Sequence, residues 1–171
     1  MQKFFGRAGV GAACVLVIGA CSDSLPVGLG GSGTTTTTGQ TVYETEYDLA
    51  LERWQANAPA HYQIVYKQTC ECAVDMQRPT RVTVRRTGQS ETIEDVVDAG
   101  SPLVTLSDDR RDAAKSVNGL FDVISQALAL NPADPRITYD GTVGYPVSIN
   151  IDPSSTGDGI VYKVTSFQAI P

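Results

Sequence analysis

The sequence predicts a two-layer α+β fold, an antiparallel sheet of about four to six strands covered mainly on one side by two helices. Three observations carry this. Two stretches repeat apolar residues at spacings of three and four, the pattern of a helix with one buried face. Several others alternate apolar and polar residues, the pattern of a strand with one buried face. The loops between successive strands are short enough to be hairpins, which requires antiparallel pairing, and one polar face per strand leaves one side of the sheet open.

Glu44 to Asn57 reads as the first helix, with Tyr47, Leu51 and Trp54 on one face and Pro59 closing it. His61 to Thr69 follows as a strand in which Tyr62, Ile64 and Tyr66 alternate with Gln63, Val65 and Lys67. Thr80 to Arg86 alternates again, with Val82 and Val84 inward, and Thr87-Gly88-Gln89 turns the chain into a weaker strand near Glu91 to Val97. Asp98 to Lys115 is polar and reads as loop, with a short strand at Leu103 to Leu106. A solvated face accounts for its run Asp108-Asp109-Arg110-Arg111.

Ser116 is the N-cap of a second helix reaching about Leu130, with Leu120, Phe121, Ile124, Ala127 and Leu128 as its buried stripe. Asn131-Pro132 ends it. Two strands remain, one with Val147, Ile149 and Ile151 inward and one with Ile160, Tyr162 and Val164 inward.

The N-terminus adds an address. Lys3 and Arg7 precede an uncharged run from Ala8 to Ala20, and Ile18-Gly19-Ala20-Cys21 resembles the bacterial lipobox. That resemblance implies cleavage before Cys21 and a diacylglycerol thioether on its sulfur. The apolar run suits a secretory leader and is too short for a spanning helix of about 20 residues. Residues 1–20 are thus expected to be a lipoprotein signal peptide. Residues 21–41 are expected to be the lipidated cysteine and a Gly/Thr-rich tether, holding its ends about 20 to 25 Å apart, and residues 42–171 one globular domain. The chain has a net charge of −6, and loss of Lys3 and Arg7 makes it more acidic. A deficit spread along the chain argues against nucleic acid or anionic head groups as partners. Membrane attachment then rests on the acyl chains, at about 0.8 kcal/mol per buried CH₂.

The ordered set Trp54, Tyr62-x-x-x-Tyr66, Cys70-x-Cys72, Val82-x-Val84, Val117-x-x-Leu120-Phe121-Asp122-x-Ile124, Tyr139-Asp140, Gly144-Tyr145-Pro146, Ile149-x-Ile151-Asp152 and Tyr162-x-Val164-x-x-Phe167 covers nearly all of Trp54 to Phe167. It resembles a bacterial family of small secreted proteins and lipoproteins known only as a domain of unknown function. The resemblance implies an exported single-domain module with a paired C-x-C, and no activity. The chain departs from that pattern at Ala73, where proline often stands. It departs again at Gly119, where a capping-box acid would complete the helix start.

Of the four cysteines, Cys14 leaves with the leader and Cys21 is alkylated, so an internal disulfide would join Cys70 to Cys72. Residues two apart on a strand lie about 6.7 Å apart, so the bond would need a local bend. A local clip is one reading. The alternative is a thiol-disulfide protein, which would need a cation near one sulfur; Glu71 and Asp75 oppose that, and Lys67 is the nearest cation in sequence. His61 is the sole histidine, at the start of a strand with no nucleophile signature beside it. Zinc would need His61, Cys70, Cys72 and Asp75 to converge. The loop from Asn150 to Gly159 places oxygen side chains at alternate positions, but Ser155 and Val161 stand where a calcium loop needs Gly and Glu. No cofactor and no metal site are expected.

Tyr139-Asp140-Gly141 and Gly144-Tyr145-Pro146 read first as turns and second as binding loops carrying Tyr139, Asp140, Tyr145 and Pro146. The functional expectation is a non-enzymatic module of the bacterial cell envelope, lipid-anchored through Cys21 and in the outer membrane if the host is Gram-negative. It would bind an envelope protein or a cell-wall partner through its open sheet face or these loops. Nucleic acid is not an expected partner.

Overall fold

The computed structural model describes residues 38–130, 132, 134–151 and 159–171. The expected leader, Cys21, most of the expected tether and the loop 152–158 lie outside the described residues. Alternation in the sequence becomes a six-stranded antiparallel sheet: β1 (His61–Thr69), β2 (Thr80–Thr87), β3 (Ser90–Asp98), β4 (Arg136–Tyr139), β5 (Pro146–Ile151) and β6 (Ile160–Ala169). The spatial order is β3-β2-β1-β6-β5-β4, so β1 and β6 are central. Tyr62, Ile64 and Tyr66 of β1, Val82 and Val84 of β2, Ile149 and Ile151 of β5, and Tyr162 and Val164 of β6 are buried. Period two puts them on one face, where each contributes about 1.5 to 3 kcal/mol.

Three α-helices among the described residues accompany the sheet: α1 (Thr38–Asn57), α2 (Asp108–Asp112) and α3 (Val117–Leu128). On α3 the expected stripe is buried at Leu120, Phe121, Ile124 and Leu128, with Val117 added to it. On α1 Trp54 is fully buried, and so is Ala50, which the spacing of larger residues did not single out. Trp54 meets Tyr62 edge to face at 5.3 Å, fixing α1 on β1. The helix also begins earlier than expected, at Thr38, within what reads as tether. Tyr43 and Tyr47, one turn apart, pack against the core and reward helix upstream of Glu44.

Further differences separate sequence from structure. Leu103 to Leu106 forms no strand, Arg136–Tyr139 does, and Val74–Gln77 forms a 3₁₀ turn. β4 is four residues long and lies at a sheet edge, too short to show alternation. Asp108-Asp109-Arg110-Arg111 is also not uniformly solvated, because Arg110 is only 2% exposed.

Candidate functional site

The Tyr-bearing loops come first. Asp140 Oδ1 accepts from the backbone N–H of Thr142 (3.0 Å) and Val143 (2.6 Å), and the Asp140 N–H donates to Tyr145 O, a closed turn between β4 and β5. Tyr145 stacks on Phe167 at 4.5 Å and Tyr139 stacks on Phe121 at 6.0 Å. Pro146 is fully buried, and burial pushes the Tyr139 hydroxyl well above its ordinary range. The turn is seated on α1 by Gly144, at φ 97°, where a Cβ would stand 2.7 Å from Trp54 N. These four residues therefore face inward or along the rim.

Cys70 and Cys72 lie at disulfide-bonding distance with Cα atoms 5.2 Å apart. The expected bend is there: β1 stops at Thr69 and residues 70–72 curve away. Both cysteines are half-buried. Gln68 Nε2 lies 3.2 Å from Cys70 Sγ, and no cation contacts either sulfur among the described residues. The electrostatic requirement for an activated thiolate is not met there.

His61 starts β1 and the cysteines follow its end, so about 30 Å of strand separates them. That span keeps His61 from converging with Cys70 and Cys72 on a zinc ion. His61 Nε2 instead lies 3.0 Å from Glu94, whose carboxyl is held below its usual range chiefly by the hydrogen bond from Arg85.

A cleft of about 270 Å³ opens between α1, α3 and the β2–β3 hairpin, lined by Tyr47, Leu51, Gln55, Arg86, Asn118 and Asp122. Beside it, polar side chains of the sheet and of the helix start build α3. The Tyr62 hydroxyl accepts from Val117 N, Glu91 Oε2 accepts from Asn118 N, and Ser116 Oγ accepts from Gly119 N. Tyr62 and Glu91 thus satisfy the N–H groups of Val117 and Asn118 in the first turn of α3. Arg86 lies over the Trp54 ring at 5.2 Å, with Nε 3.7 Å from Glu91.

A second charged group ties the Asp98–Lys115 segment to the sheet. Arg110 Nη1 donates to Asp98 (2.7 Å), Nη2 to the carbonyl oxygens of Arg78 and Pro79, and Nε to Thr80 Oγ1. Arg78 donates twice more to Asp98, and these bonds, Arg78 foremost, hold the Asp98 carboxyl far below the usual carboxylate range. Every arm of Arg110 is engaged internally, so this cluster fastens a loop.

The open face of the sheet differs from all of these. It presents Gln63, Val65 and Lys67 of β1, Arg81 and Thr83 of β2, Ser148 and Asn150 of β5, and Lys163 and Ser166 of β6. Lys67 stands directly opposite Lys163 in the β1–β6 register, and Arg81 opposes Val65, one step away. All three cations are exposed, and none has a hydrogen bond or ion pair among the described residues. Sequence alternation placed each side chain outward, but only the strand order brings the two lysines together.

A family model described as "Family of unknown function (DUF6174)" matches residues 46–169. No curated protein matches the chain, and no solved structure does.

Proposed function

The chain belongs to this family of unknown function, and we propose that it is a lipid-anchored module of the bacterial cell envelope that binds an envelope partner without catalysing a reaction. The lipobox-like Ile18-Gly19-Ala20-Cys21 supports the anchor, and the Gly/Thr-rich stretch after it supports a spacer that holds the domain off the head groups.

One observation carries the binding reading. Of the two surfaces the sequence offers, the tyrosine-bearing loops are packed inward, whereas the open sheet face keeps Lys67, Arg81 and Lys163 without partners among the described residues. A rigid sheet with unspent polar groups loses little conformational freedom when a partner docks. The C-x-C pair is a local clip at the end of β1.

The test is site-specific photo-crosslinking of the lipidated chain in its native host. A crosslinker at Ser166, exposed on the open face, should capture a discrete partner, and one at Gln126, exposed on α3, should not. Equal capture from both positions, or none from Ser166, would overturn the reading.

A further inference from the structure

We infer that the open sheet face binds a linear phosphate-bearing polymer along the track Arg81–Lys67–Lys163. This rests on the binding-module reading and names the chemistry of its partner. Directly opposed side chains of an antiparallel pair have Cβ atoms about 4.5 to 5.5 Å apart, and like charges in that position destabilise a sheet. Lys67 and Lys163 hold that position without an ion pair to a carboxylate among the described residues. Lysines commonly blunt the edges of sheets, but β1 and β6 are the two central strands of six, so edge protection does not explain them.

An anion between the two ammonium groups removes the repulsion. Two flexible point charges suit a compact phosphate, whereas planar carboxylates are better matched by the arginine fork. Arg81 extends the track onto β2, so three cations cross three adjacent strands, a width of about 10 Å. A chain with phosphates at regular intervals can meet all three. A broad anionic bilayer fits less well, because Glu94 and Asp95 flank the track on β3. Nucleic acid fits less well too. Single strands are held by stacking on aromatic side chains, and those of β1 and β6 at this level, Tyr66 and Tyr162, point into the core.

The test uses the full-length mature chain in non-ionic detergent and inorganic polyphosphate as the probe. Polyphosphate should bind, with an affinity that falls about twentyfold between 50 and 200 mM salt for three contacts. The double variant Lys67→Gln/Lys163→Gln should lose at least tenfold in affinity while its thermal midpoint holds or rises, since a repulsion is removed. Arg111→Gln, an exposed cation on α2, should bind as the parent does. No binding by the parent, equal binding by the double variant, or tighter binding to an oligothymidylate or to phosphatidylglycerol vesicles than to polyphosphate would each overturn the inference. A Ser166 crosslink to a protein that survives Lys67→Gln/Lys163→Gln would also overturn it, and would leave the binding-module reading standing.

Discussion

Arg110 shows how a residue's role depends on its surroundings more than on its neighbours in the chain. Within Asp108-Asp109-Arg110-Arg111 it is indistinguishable from a surface charge, yet it is almost fully buried against Asp98, Thr80 and two carbonyls. Its place in a run of charges carries no signal of that, because its partners are twelve to thirty-five residues away. Replacing it by methionine leaves buried acceptors unpaired, and should lower folding stability by about 3 to 5 kcal/mol in denaturant titration. Asp98 gives the same network a pH dependence. Its folded-state carboxyl is depressed, chiefly by Arg78, so its contribution is full above the ordinary aspartate range near pH 4 and drains away as pH falls below it. Acid unfolding of an Asp98→Asn variant should therefore be shallower than that of the parent. Equal slopes would mean that this carboxylate is not coupled to folding.

Among the elements, β1 and α3 were legible nearly to the residue because their periodicity is unbroken: His61–Thr69 alternates throughout, and Ser116 caps α3 as its position suggests. The upstream turns of α1 and the short α2 and β4 were not, since Thr-rich or charged segments of that length show no dominant period. The start of α3 is instructive, because the N–H groups of Val117 and Asn118 are satisfied from the sheet by Tyr62 and Glu91, which no local motif encodes. The β4–β5 turn is similar. Gly144→Ala would force a Cβ against the backbone of α1 at a positive φ, and should destabilise the domain by about 1 to 3 kcal/mol or more, read as a drop in thermal midpoint. The C-x-C clip should behave oppositely. Its ring closes over one residue, so Cys70→Ser/Cys72→Ser should cost about 1 kcal/mol, below the 2 to 5 kcal/mol usual for small secreted domains. A larger loss would make the clip a global fastening.

At the scale of the whole molecule, composition and arrangement answer different questions. The α+β class and the one-sided cover follow from patterning, whereas the lysine pair on the open face needs the β1–β6 register, which forms between residues about a hundred positions apart. An acidic average thus conceals a local basic track. The proposed address is the reverse case, resting on a few contiguous residues and owing nothing to the domain. No helix among the described residues is long and apolar enough to cross a membrane. If Cys21 carries the anchor, retention must come from acyl chains alone, and two or three chains at about 0.8 kcal/mol per CH₂ hold far longer than one. On the proposed reading, Cys21→Ala removes the sulfur that would form the thioether and the residue at which the leader would be cut. It should therefore give unprocessed or released protein with an unchanged fold, read by fractionation and by metabolic labelling with a fatty acid. Ser22, uncharged, should let a Gram-negative host pass the processed protein to its outer membrane. Normal membrane retention and labelling of Cys21→Ala would remove the anchor from the proposal, while the open face and its partner would still stand or fall by their own tests.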